Sequence, residues 1–297
     1  MIEQNHSISK RIKSKLLFRG RLARRAIRRF RQSLNYPLSD APIFFANSFP
    51  KSGTHLLTQV LAGFTQFGPA VVSGLPAVVT FEGITGRQRS QSEIQQDLKR
   101  LLPGDIAYGH LHVSPETIDL LSTERIAHYF MLRDPRDVVV SHAHYVTELQ
   151  TNHIFHLYYQ NTLTSEMERI TASIAGINDL KTGPLLPNIR ERFEPYIGWL
   201  DQPEVLILRY EDFVNKRKQF LESILDHAIK HHFISSCSYD KAVELLERKI
   251  DPSKSPTFRT GIIGGWRTSF TDEHKTIFKE ITGDLLSRLD YESTVDW

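Results

Sequence analysis

Four adjacent residues, Lys51-Ser52-Gly53-Thr54, place an ammonium, two hydroxyls and a backbone position without a side chain in one short turn, a set suited to holding an anion. The run from Ile43 to Asn47 before them is apolar and strand-like, and a helical pattern starts at Thr54. The turn therefore opens a helix whose first N–H groups lack partners and carry the positive end of its dipole. A second set follows a second apolar run, Ile126–Leu132, which delivers Arg133 at its end; Asp134-Pro135-Arg136-Asp137 then opens another helix. Arg133 and Ser141 are eight residues apart, one at the strand end and one about two turns along, so both can reach one phosphate. A third stretch, 258–267, is glycine-rich and basic.

These groups need strands to deliver them. A third continuous apolar run, Val205–Arg209, completes a set expected for parallel strands covered on both faces. The implied fold class is α/β, a three-layer P-loop-like arrangement with a central parallel sheet flanked by helices, and ligands in such sheets bind outside the carboxyl ends of the strands. The residue pattern predicts helices over 54–67, 92–102, from Ser114-Pro115 onward, from Asp134-Pro135 to 148, 166–179, 190–200, 216–231, 239–249 and from Asp272. Residues 70–91 and 144–183 read mainly as loops around an acceptor pocket, the aromatic density of 144–159 being more often packing than recognition.

With 297 residues, 40% of them hydrophobic, the chain suits one large α/β domain. No apolar run approaches the ~18 residues of a membrane span, and the first residues lack a signal-peptide core, so the expected location is the cytoplasm. The single cysteine, Cys237, rules out a disulfide within the chain. The net charge of +3 hides an uneven distribution: the first 35 residues hold 11 Lys or Arg and one acid, the remainder 26 bases and 33 acids. Ile12, Leu16, Ala23, Ile27, Phe30 and Leu34 recur at helical spacing between these arginines. We therefore divide the chain into a basic amphipathic helical arm, 1–35, and a domain, 36–297. Three readings of the arm stand side by side: its apolar face docks on the domain, residues 10–31 lie peripherally on an anionic membrane, or the arm holds a polyanionic acceptor. No nucleic-acid partner is expected.

A Walker A loop has its lysine after the second glycine, next to a hydroxyl. Here the lysine comes first, and Pro50-Lys51-Ser52-Gly53-Thr54 resembles the 5′-phosphosulfate loop of sulfotransferases, which use 3′-phosphoadenosine-5′-phosphosulfate (PAPS). The Arg133 and Ser141 pair is similar to that family's 3′-phosphate motif, Tyr210-Glu211-Asp212 matches a segment whose tyrosine lies against adenine, and Phe258 to Arg267 resembles its closing R-K-G-x-x-G-x-W-K segment. Four matches in the family's order span residues 43 to 267.

The resemblance implies a donor site formed by Lys51, Ser52, Gly53, Thr54, His55, Leu56, Arg133, Ser141, Tyr210, Arg259, Thr260 and Gly261. His55 and Leu56 stand where many cytosolic members carry threonine and an adenine-stacking tryptophan, and Thr260 replaces a lysine. His110, in Tyr108-Gly109-His110-Leu111-His112, occupies the place of the histidine in K-T-H-L-P, with Tyr108 in place of its lysine and His112 as the competing base. The implied reaction is in-line sulfuryl transfer from PAPS to a hydroxyl or amine, with His110 as general base, Lys51 stabilising the leaving phosphate, and no metal. The acceptor is left open among small molecules, glycans and lipid-linked sugars. A P-loop-type small-molecule or nucleoside kinase and a non-catalytic anion-binding module are the alternatives.

Overall fold

The computed structural model of the protein describes residues 2–178, 183–255, 261–294 and 297, with side chains from residue 15 onward. Its centre is a parallel sheet of β1 (Ile43–Ser48), β2 (Val71–Val72), β3 (Val78–Val79), β4 (Asp105–His110), β5 (Ile126–Leu132) and β6 (Val205–Arg209). The order is β2-β4-β1-β5-β6, and β3 pairs with the far end of β4. β1 is thus flanked by β4 on one side and β5 on the other, with Asn47 level with both Gly109 and Phe130. The chain changes sides of the sheet at β1, and a crevice at the strands' carboxyl ends follows from that topology.

Successive residues of each strand face opposite layers. Phe44, Ala46, Tyr129 and Met131 pack into one apolar layer, while Phe45, Phe130 and Leu132 pack into the other. Each is at most 2% exposed, and burying a side chain of this size stabilises by roughly 1.5–3 kcal/mol. The fourteen α-helices among the described residues are α1 (Ile2–Ser33), α2 (Thr54–Gly63), α3 (Gln91–Leu98), α4 (Pro115–Leu121), α5 (Pro135–His144), α6 (His156–Asn161), α7 (Glu166–Ala175), α8 (Ile189–Ile197), α9 (Tyr210–Asn215), α10 (Arg217–Lys230), α11 (Tyr239–Arg248), α12 (Trp266–Ser269), α13 (Asp272–Thr282) and α14 (Leu285–Arg288). Helices α2, α10 and α11 cover the first layer, and α5, α7, α8 and α13 cover the second.

Several boundaries differ from the sequence reading for local reasons. The helix expected over 54–67 ends at Gly63 and continues as a tighter turn, Phe64–Gln66. The helix expected to open at Asp134-Pro135 and run to about Glu148 does start at Pro135, where Asp134 accepts the N–H of Arg136 at 2.9 Å. It then widens into a π-helical turn over Tyr145–Leu149. β2 and β3 lie where loops were expected, since two-residue strands leave no periodicity to read.

The largest departure is α1. One of the three readings of the arm had its apolar face docked on the domain; the helix does dock, but through arginines. Arg25 pairs with the fully buried Asp105 and donates to the Arg100 carbonyl at 2.9 Å; Arg29 reaches Asp105 at 3.1 Å and the Pro103 carbonyl at 2.8 Å. Arg28 donates to the carbonyls of Val72 and Ser73, both at 2.8 Å, and Arg21 to that of Gly74 at 3.2 Å. Two needs of the domain account for this. β2 is an edge strand with unpaired carbonyls, and Asp105 is a carboxylate without water.

Removing one partner of a buried pair typically costs about 3–5 kcal/mol. Arg29 and the Leu102 N–H, at 2.8 Å, still face Asp105 after Arg25 is lost, so Arg25→Ala is expected to cost about 3 kcal/mol, at the low end of that range. Urea unfolding checks this, as a lower midpoint with an unchanged slope.

Candidate active site

The turn after β1 is fixed at both ends: Phe49 N–H donates to the Met131 carbonyl at 3.1 Å, and Ser52 N–H to the Phe49 carbonyl at 3.2 Å. Lys51 has φ 72° and Gly53 φ 102°. A Cβ on Gly53 would lie 2.8 Å from the Tyr210 ring and 3.0 Å from the Met131 methyl, so only glycine fits. Lys51 holds the left-handed conformation without being glycine, a local strain of order 1–3 kcal/mol. Gly53 is the N-cap of α2 and supplies no side-chain cap, so the first N–H groups of α2 stay open to a ligand.

The Lys51 ammonium sits 3.8 Å above the Tyr145 ring centroid and forms no ion pair among the described residues. Burial, and secondly the charge of Arg133, bring its pKa from 10.5 down to about 7. The Ser52 hydroxyl and the Arg133 Nε are buried without hydrogen-bond partners among the described residues. Buried polar groups are normally paired, and these two donors beside an uncompensated lysine fit a multiply charged anion.

His110 ends β4, next to the end of β1. Its Nδ1 lies 2.9 Å from the Ser48 carbonyl and 3.2 Å from the Ser48 hydroxyl, which in turn is 2.7 Å from the Thr54 hydroxyl. A carbonyl only accepts, so Nδ1 carries the proton and Nε2 is left with its lone pair. Burial lowers the His110 pKa, the Ser48 carbonyl opposes this, and the nearby His55 and Lys51 lower it further. The backbone beside it is locked as well. Asn47 exchanges two hydrogen bonds with Leu111, at 2.8 and 3.2 Å, and Trp199 donates to the Leu111 carbonyl at 2.8 Å. His112, the competing base, lies with its ring 5.5 Å from Phe81 and 4.7 Å from Tyr196, and burial lowers its pKa to about 4.

Arg133 stands at the end of β5, its guanidinium 4.6 Å from the Tyr210 ring centroid. It donates to the Ile262 carbonyl at 2.8 Å and to Asp137 at 3.4 Å. Asp137 also accepts the N–H groups of Gly264, at 2.8 Å, and Trp266, at 3.0 Å. One carboxylate on α5 therefore pins the glycine-rich C-terminal segment over Arg133. Gly261 lies in that segment with φ 65°; Arg259 and Thr260 lie outside the described residues. Ser141 is half-buried on α5, and its hydroxyl makes no hydrogen bond among the described residues.

On α2, His55 has its pKa lowered by burial and then by Lys51, and Leu56 packs partly buried against the apolar layer beside Tyr210. The structure thus brings Lys51, Ser52, Gly53, Thr54, His110, Arg133 and Tyr210 to the carboxyl end of the sheet. Ser48, Asn47, Asp137 and Tyr145 join them without having been singled out. The first two were readable as small polar residues closing an otherwise apolar strand. Asp137 was readable only as a charged turn, and Tyr145 only as one of the aromatic residues of 144–159.

The family model described as the sulfotransferase domain matches residues 42–290. Among solved structures, a mouse sulfotransferase complexed with PAP is 19% identical, with a TM-score of 0.55 over 88% of each chain. Retinol dehydratase with androsterone and the inactive cofactor PAP is 16% identical, with a TM-score of 0.54 over 84% of this chain and 83% of that one; its complex with retinol and PAP gives 0.52 over the same shares. These likenesses carry the fold.

The lowered pKa of Lys51 has a consequence for stability. Between pH 7 and 10.5 the unfolded chain holds a proton on this lysine that the folded protein has released, so stability rises with pH across that window. Lys51→Met removes this rise, and at pH 7 and below the variant is expected to be more stable than the parent by at least about 1 kcal/mol. Thermal melts of both proteins from pH 6 to pH 10 check it; parallel curves contradict it.

Proposed function

Because the chain belongs to the sulfotransferase domain family, we propose that it moves a sulfuryl group from PAPS to the hydroxyl of a small acceptor with an apolar or aromatic body. One observation carries the reading. A neutral imidazole, oriented through the Ser48 carbonyl, stands on the strand next to a loop whose lysine has no counter-charge. A pure anion-binding module needs the second feature and has no use for the first.

In this reading PAPS supplies an activated sulfuryl group. Ser52, Thr54 and the open end of α2 take its 5′ side, while Arg133, Ser141 and the segment from Gly261 take the 3′-phosphate, with Arg259 and Thr260 as further contacts. Tyr210 supports the base, with His55 and Leu56 at its edge. As the acceptor oxygen bonds to sulfur, the bond from sulfur to the phosphate oxygen breaks, and the acceptor proton passes to His110 Nε2. Lys51 neutralises the charge that develops on the leaving oxygen. Its pKa near 7 suits the role, since an arriving anion favours the charged form.

The acceptor class is inferred from the rings next to this machinery. Phe81, His112 and Tyr196 form one group, and Tyr145 and His153 another, their centroids 5.8 Å apart. Burial holds both His112 and His153 near pKa 4, so these are neutral surfaces. Androsterone and retinol, which occupy the retinol dehydratase structures, are apolar alcohols of this kind.

The test is transfer of labelled sulfate from PAPS to a panel of phenols, apolar alcohols and glycans. Label on the first two is expected; label on glycans alone overturns the acceptor class, and no label at all overturns the reaction. His110→Gln is expected to lower turnover by about 10²–10⁴ while leaving affinity for the bisphosphate product unchanged, as loss of a general base should. Since burial lowers the His110 pKa, the midpoint of the acid loss of activity is expected below the ~6.5 of an ordinary histidine.

A further inference from the structure

Docking by arginines leaves α1 with a face that the fold does not use. At 100° per residue, Leu16, Ala23, Ile27 and Phe30 fall within an arc of about 60°, opposite Arg21, Arg25, Arg28, Arg29 and Gln32, which hold the domain; Leu34, in the turn directly after the helix, extends the stripe. Leu16, Ile27, Phe30 and Leu34 are 62%, 52%, 66% and 68% exposed. The stripe is about 27 Å long at the rise of an α-helix. Lys15 and Arg19 flank it on one side and Arg24 and Arg31 on the other. All four are exposed, and none is in an ion pair among the described residues.

We propose that this face of α1 is a membrane-surface anchor, lying flat on an anionic lipid headgroup layer with the five apolar residues inserted between rows of basic ones. Charge complementarity and the apolar stripe point to this occupant together. A polyanion such as a sulfated glycan would meet the basic flanks but leave four large apolar side chains in water. A second copy of the helix would cover the stripe but would set arginine rows against each other. Anionic lipid satisfies both, and an amphipathic helix with basic residues beside its apolar face is the form such binding takes. The domain-facing arginines belong to the same device: they hold the helix flat against the sheet edge and keep its apolar side outward.

The test is flotation of the full chain with phosphatidylglycerol–phosphatidylcholine vesicles and with phosphatidylcholine vesicles, alongside retention on immobilised heparin. The parent is expected to float with the anionic vesicles only, and less so as salt rises. Phe30→Glu and Ile27→Glu are expected to lower vesicle affinity at least about tenfold, with only a small fall in heparin retention from the added charge and an unchanged thermal midpoint, since both positions face solvent. Arg24→Gln with Arg31→Gln is expected to weaken both vesicle and heparin binding. Failure of the parent to float, equal flotation of parent and Phe30→Glu, or a lipid-free dimer that Phe30→Glu turns into a monomer would each overturn the proposal.

Discussion

An ammonium group held away from water without a carboxylate beside it is the constraint on which this structure turns. Lys51 is kept there by a left-handed backbone, a ring beneath its charge and a glycine two residues on that nothing else could replace. The left-handed backbone and the burial of the charge oppose stability, and the cation–π contact with Tyr145 offsets only part of that cost. They become favourable together once an anion enters, because one ligand then compensates the lysine, the orphaned Ser52 hydroxyl, the Arg133 Nε and the open end of α2. The strain and the chemistry therefore have one source.

The sheet topology makes the arrangement possible. With β1 between β4 and β5, three strand ends deliver a phosphate-binding turn, a base and an arginine to one crevice, although their residues are more than 50 positions apart in the first interval. Asp137 then ties the end of the chain to the same place by accepting two backbone N–H groups and facing Arg133. That one carboxylate holds the C-terminal segment over Arg133. With Leu56 supplying no ring, Tyr210 is the aromatic residue packed against both Gly53 and Arg133.

Much of this was readable in the sequence because the strands leading to Lys51, Arg133 and Tyr210 are continuous apolar runs and each turn carries its own local chemistry. Where the sequence reading failed, the cause was non-local. An amphipathic helix is ordinarily assumed to bury its apolar side, yet α1 buries its guanidinium side, since a buried Asp105 and the free carbonyls of an edge strand lie 70 or more and 40 or more residues away, respectively. No window around residues 15–34 contains that information. Likewise the Tyr145 ring meets Lys51 from a helix more than 90 residues further along the chain, and the role of Asn47 depends on Leu111 and Trp199.

The central claim, that an uncompensated Lys51 awaits a phosphate-bearing ligand, is most directly tested by titrating adenosine 3′,5′-bisphosphate into the protein at pH 8 by calorimetry in buffers of different ionisation enthalpy. With a pKa near 7 the free lysine is mostly neutral at that pH, and an arriving anion recharges it. The result expected is uptake of close to one proton by the parent and markedly less by Lys51→Met. Binding heats independent of the buffer, or equal proton uptake by both proteins, would contradict the account.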